Sequence, residues 1–174
     1  LKYRIIMKKV SNKLVSAAIV ILSVLLDTFS KNLAIFALKD TGEIDFAVIP
    51  GILHFTYHEN RGAAFGMLSE NRWIFMTISS IAIIAIAAYL FFNKENSSLL
   101  SYSLSMILGG GIGNMIDRVF LGYVVDFISV SFFPLIFNFA DCCVVIGAIC
   151  LIIYVLFTKE GRSDEKKASD NSVE

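Results

Sequence analysis

Charge is scarce in this chain of 174 residues: Asp, Glu, Lys and Arg make up 17% of it, where soluble domains carry roughly a quarter. A mean hydropathy of +0.72 excludes an ordinary water-soluble domain and points to membrane spans. The cysteines are few and poorly placed for chemistry. Cys142, Cys143 and Cys150 share one apolar run with no CxxC spacing, which favours neither a metal site nor a disulfide. An HExxH zinc motif is missing too, since His54 and His58 stand in HxxxHE order with no evident third ligand. No Lys-Ser/Thr pair follows "GGGIGN", residues 109–114, so a phosphate-cradling loop is not indicated. Metal, cofactor and nucleic acid are therefore not expected. No small-x-small cleavage site follows the basic, apolar N-terminal stretch, which reads as a retained membrane helix rather than a signal peptide.

What the chain does have is apolar length. Segments at about 14–38 (interrupted by Asp27 and Lys31), 73–92, 98–116 and 140–157 approach the ~20 residues that cross a bilayer as a helix. The expected fold is an all-α polytopic membrane protein, a single domain over 1–174 with four transmembrane helices. Loops 39–72 and 118–137 fall on one side; tails 1–13 and 158–174 and the "NKENSS" hairpin fall on the other. The tails and hairpin hold ten of the fifteen Lys and Arg residues, so the positive-inside rule puts both termini in the cytoplasm. The polar tail after Thr158 is expected to be disordered. In the first outer loop Pro50 and Gly51 signal a turn, after which Leu53, Phe55 and Tyr57 alternate with His54, Thr56 and His58 as in a strand. "FISVSFFPLIF" is apolar but broken at Pro134, and reads as a segment lying at the membrane surface. A small extracytoplasmic β-sheet platform and an interfacial segment complete the expected architecture.

The polar residues of the spans converge at one depth. Asp27 lies roughly 20 Å up the first span, and Asn114 and Asp117 roughly 24 to 29 Å up the third. Arg118, Asp126, Asn138 and Asp141 lie just beyond it or at the start of the fourth. "HENRGAAFG", residues 58–66, leads back to the second. The inner half reads as nearly pure hydrocarbon, so a site at the outer face is indicated. Simple ion pairing accounts for some of these acids: Lys31 is four residues from Asp27, and Arg118 adjoins Asp117. Asp126 and Asp141 have no basic neighbour in sequence and are left to face each other. Two close carboxylates share a proton, and such a pair can activate water and protonate a departing amine. Asn138 either caps the fourth helix or orients a substrate carbonyl. Gly109 and Gly113 serve either close helix packing or room for a ligand.

Taken in order, "HENRGAAFG", "GGGIGNMIDR", "VVDF" and "FNFAD" resemble the bacterial lipoprotein signal peptidases, the type II signal peptidases, over most of the chain. The resemblance implies a polytopic aspartic endopeptidase of the bacterial inner membrane, with its active site near the extracytoplasmic face. It implies cleavage of prolipoproteins just before a diacylglyceryl-modified cysteine, with Asp126 and Asp141 as the catalytic pair. Asp27, Lys31, Asn60, Gly62, Asn114, Asp117, Arg118 and Asn138 then hold substrate or shape the site. The implied partners are lipid-modified prolipoproteins, membrane lipids and the cyclic peptide antibiotic globomycin. Thr28 follows Asp27 where the family usually has Gln. The alternative readings are a small proton-coupled carrier using its buried acids, and a non-catalytic assembly or lipid-binding subunit.

Overall fold

A computed structural model of the chain describes residues 2–42, 45–62, 72–92 and 97–170. Side chains are described within 12–158 of those segments, Arg72 and Phe75 excepted. Helix α1 runs Lys2–Ala34, and a π-helical turn at Ile35–Lys39 continues it. Strands β1, Asp45–Ile49, and β2, Leu53–Asn60, precede α2, Arg72–Phe92. Then come α3, Ser98–Phe120, strands β3, Val124–Val130, and β4, Ile136–Phe137, and finally α4, Phe139–Asp170. Most of the "NKENSS" hairpin and of the "GAAFG" stretch lies outside the described residues.

Three helical stretches are long and apolar enough to cross a membrane: Asn12–Lys39, Ser98–Phe120 and Phe139–Thr158. The apolar part of α2, Met76–Phe92, is shorter. The bundle is apolar outside and polar inside, as a hydrocarbon solvent demands. Phe29, Ile84, Phe91 and Phe157 point outward with two thirds or more of their surface free, whereas Asp27 is 0% and Lys31 2% exposed. Small residues let the helices approach. A Cβ on Gly113 would sit 2.5 Å from Asp27 Oδ2, and one on Gly110 would collide with the Ala140 carbonyl. The glycines of 109–113 thus serve packing: Gly109 and Gly113 face α1, and Gly110 faces α4.

The four strands form one antiparallel sheet in the order β1-β2-β3-β4. Gly51, at φ 74°, makes the β1–β2 turn, where the Ile52 N–H reaches the Ile49 carbonyl at 3.0 Å. The sheet seats Phe127 on Leu38 and Ala34 at the end of α1, with Tyr57 and Ile128 packed alongside.

Two expectations change. "FISVSFFPLIF" is not wholly an interfacial segment, because its first half completes β3, paired with β2, and Ile136 and Phe137 form β4. A continuous apolar run carries no alternation to separate a doubly covered strand from a surface segment. The chain after Thr158 is helical through Asp170 rather than disordered. A helix already nucleated in the span extends without a new nucleation cost, and Glu, Lys and Ala favour it.

Candidate active site

The polar interior is built in two tiers. In the lower tier the Lys31 ammonium, buried by the helices around it, lies against three groups, two carboxylates and one amide oxygen. They are Asp27 Oδ2 at 2.8 Å, Asp117 Oδ2 at 3.1 Å and Asn114 Oδ1 at 2.9 Å. Asp27 Oδ1 accepts the Ala140 N–H at 2.9 Å, so a side chain of α1 fills an open donor in the first turn of α4. Asp117 Oδ2 accepts the Val125 N–H at 3.0 Å and ties β3 to α3 beside Asp126. The pairing of Asp27 with Lys31 is as expected; that of Asp117 with Arg118 is not. Asp117 pairs with Lys31, because adjacent helical residues point apart. Arg118 instead donates to the Asn114 carbonyl at 3.1 Å and lies within electrostatic reach of Asp141 and Asp126.

The upper tier holds Asp126 on β3 and Asp141 in the first turn of α4. Asn138 is the cap of that helix. Its Oδ1 accepts the Asp141 N–H at 3.0 Å, while Asp141 Oδ2 accepts the Asn138 N–H at 3.1 Å, a reciprocal capping box. With Oδ1 thus committed, the amide nitrogen of Asn138 must face the other way. It donates to Asp126 Oδ1 at 2.6 Å and to Asn114 Oδ1 at 3.1 Å. The same logic orients the other two amides. Lys31 claims Asn114 Oδ1, so Nδ2 of Asn114 donates to Asp141 Oδ1 at 2.8 Å. The Gly62 N–H claims Asn60 Oδ1, so Nδ2 of Asn60 donates to Asp126 Oδ2 at 2.8 Å. Asp126 and Asp141 are therefore held by carboxamides and backbone N–H groups, with no salt bridge to either among the described residues.

Asp126 is 1% exposed, and burial pushes its carboxyl up to about 6; Asp141 nearby adds to the rise, while the donors Asn60 and Asn138 oppose it. Both acids line a cavity of about 940 Å³ together with Asn60, Arg118 and Pro134. Its lower wall runs along one face of α4 through Cys142, Val145 and Ile146. Val145 and Ile146 are themselves about half exposed, so the wall continues onto the outer surface of the bundle.

The structure adds a rim that the sequence reading passed over. Glu59 takes Arg61 Nη2 at 2.9 Å and Lys39 Nζ at 3.1 Å, and these cations hold its carboxyl down at about 2. Tyr57 and Tyr123 join the same group, with their hydroxyls 3.3 Å apart. The charge run "HENR" carries the only sequence signal for this rim, and the π-helical turn brings Lys39 to it. His54 lies on β2 with Nδ1 3.1 Å from Asp45 Oδ2. The inner half of the bundle is not pure hydrocarbon either: Asn12 Oδ1 accepts Ser98 Oγ at 3.0 Å and the Tyr102 hydroxyl at 3.2 Å. Serine and asparagine at a helix end are too small a polarity to stand out of an apolar average.

Residues 19–157 match the family model described as Signal peptidase (SPase) II. The lipoprotein signal peptidase of Caldanaerobacter subterraneus is 48% identical over 142 residues, which cover 80% of this chain and 96% of that protein. That of Clostridium tetani is 43% identical over 153 residues, covering 85% and 96%. A bacterial membrane enzyme solved by the in meso method at 2.3 Å superposes with a TM-score of 0.75 at 36% identity, over 84% of this chain and 90% of that one. With that match, the chain belongs to the signal peptidase II family, membrane peptidases that remove signal peptides from prolipoproteins.

Proposed function

We propose that Asp126 and Asp141 are an aspartic dyad that hydrolyses the peptide bond just before a diacylglyceryl-modified cysteine. The observation that carries this reading is the position of Asn138, which hydrogen-bonds both acids at the head of one cavity. With one proton on the pair, Asp141 takes a proton from water as the oxygen attacks the scissile carbonyl. Asp126, whose burial favours the protonated form, gives its proton to the departing nitrogen as the C–N bond breaks. The products are a signal peptide with a free carboxylate and a lipidated cysteine with a free amine. Asn114 and Asn60 keep the acids aimed, Gly62 fixes Asn60, and Arg118 offers a cation to the developing oxyanion.

The apolar wall along α4 suits a substrate tethered by acyl chains, which arrives sideways from the bilayer. In this reading α2 supplies a fourth crossing, both termini face the cytoplasm, and the dyad sits near the extracytoplasmic face of the bacterial inner membrane. Globomycin, a cyclic peptide, would occupy the same cavity. The test is cleavage of a lipidated prolipoprotein by the purified protein, with product ends identified by mass spectrometry. Near-normal turnover by Asp126→Asn or Asp141→Asn removes that residue from the dyad, and cleavage elsewhere than before the cysteine overturns the assigned position.

A further inference from the structure

A second cavity, of about 380 Å³, opens at the opposite end of the bundle, between the N-terminal part of α1, the end of α2 and the start of α3. Its size falls within the ~300 to 1,000 Å³ of small-molecule sites. Most of its lining is apolar, from Ala17, Val20, Ile21, Ala87, Leu90 and Leu108. Its polar lining is Asn12, Lys13 and Ser16 from α1, Tyr89 from α2 and Ser101 from α3, and two of these groups stand out.

Ser16 is the first. It is 7% exposed, lines the cavity, and its hydroxyl has no hydrogen-bond partner among the described residues. Hydroxyls in apolar helices ordinarily return their proton to the carbonyl one turn back. Thr77, Ser103 and Ser105 do so here, at 2.7 to 2.8 Å. Ser16 does not, and a buried hydroxyl without a partner is costly. Lys13 is the second. Its ammonium spends one donor on the Phe91 carbonyl at 2.9 Å, lies 5.7 Å from the centre of the Phe91 ring, and is otherwise exposed at the mouth. The sequence before it is basic, with Lys2, Arg4, Lys8 and Lys9.

We propose that this cleft binds one anionic glycerophospholipid of the leaflet that surrounds it. The phosphate sits on Lys13, an ester carbonyl accepts the Ser16 hydroxyl, and one acyl chain lies along Ala17, Val20 and Leu108. Ser16 stands three residues deeper than Lys13, about 4.5 Å along the helix. That order of cation, hydroxyl and hydrocarbon repeats the order of phosphate, ester and chain in the lipid. A zwitterionic lipid carries a cation of its own, which the basic N-terminal stretch repels. The site is at the far end from the dyad, and its occupancy does not depend on how the peptide bond is cut.

The test is native mass spectrometry of the full chain in detergent, after equilibration with phosphatidylglycerol and phosphatidylcholine of identical chains. The expected result is one retained phosphatidylglycerol, favoured at least tenfold over phosphatidylcholine. Lys13→Gln abolishes the preference, and Ser16→Phe, which fills the cleft, abolishes retention. Both variants still cleave a lipidated prolipoprotein. Equal retention of the two lipids by the unmodified protein overturns the proposal, as does unchanged retention in Lys13→Gln. If Ser16→Phe fails to fold, Lys13→Gln decides alone, because that side chain is exposed. Retention of detergent in place of either lipid also overturns it.

Discussion

Two clusters of acids lie side by side in this protein, bridged by Asn114, and are held in opposite ways. Asp27 and Asp117 share the Lys31 ammonium. Asp126 and Asp141 receive carboxamide and backbone donors. On the proposed function, the difference separates structure from chemistry. An ammonium at salt-bridge distance ties a buried carboxylate into an ion pair, whereas amide donors orient it without committing it to a cation. The lower tier fixes helices and β3 in place; the upper tier holds the two acids of the proposed dyad at the head of the cavity.

The strongest way to break this comparison is to remove one carboxylate from the upper tier. Asp126→Asn or Asp141→Asn should lower single-turnover cleavage by about 10²–10⁴-fold or more with the fold intact, as checked with saturating lipidated substrate. Removing the lower tier's cation should act on stability first. Lys31→Met leaves two buried carboxylates facing each other, so a loss of about 3–5 kcal/mol is expected. In detergent this would lower the unfolding midpoint by about 10 °C. An unchanged midpoint would mean that the lower tier is not structural.

Asp117→Asn sharpens the boundary between tiers. Asn keeps an oxygen for the Val125 N–H while giving up the charge on Lys31, so reduced stability with measurable turnover is expected. A dead Asp117→Asn beside an active Asp126→Asn would show that the tiers are misassigned. Asn60→Ala should have a subtler effect. Turnover that needs one shared proton falls as pH rises through the Asp126 value of about 6. Asn60 opposes that rise by donating to the charged form, so its loss should carry kcat/KM to higher pH. A limb moving to lower pH would contradict this. The sign for stability is opposite to that of a salt-bridged acid: this group's contribution weakens as pH rises from the ordinary 3.8 toward about 6. The smallest expected effect is none: EDTA should leave cleavage unchanged, and activity lost to it and restored by zinc would refute the dyad.

Composition and motif order were enough to read a membrane peptidase with two candidate acids, because bilayer solvation imposes long apolar runs and makes every polar residue within them conspicuous. The turn at Gly51 and the strand after it were legible from local rules for the same reason. Beyond the Asp27–Lys31 pair, partners were not legible. Asp117 chose Lys31, 86 positions away, over the arginine beside it, and Asn138 proved to serve as helix cap and acid bridge at once. The Lys39–Glu59 rim and the unpartnered Ser16 were likewise invisible. Hydrophobic periodicity is a property of one segment and survives in the sequence, whereas a hydrogen bond is set by the direction of two side chains brought together by different helices. Which polar residues lie at the site could be read along the chain; which of them are bound to a cation, and which are left able to move a proton, was decided only when the helices packed.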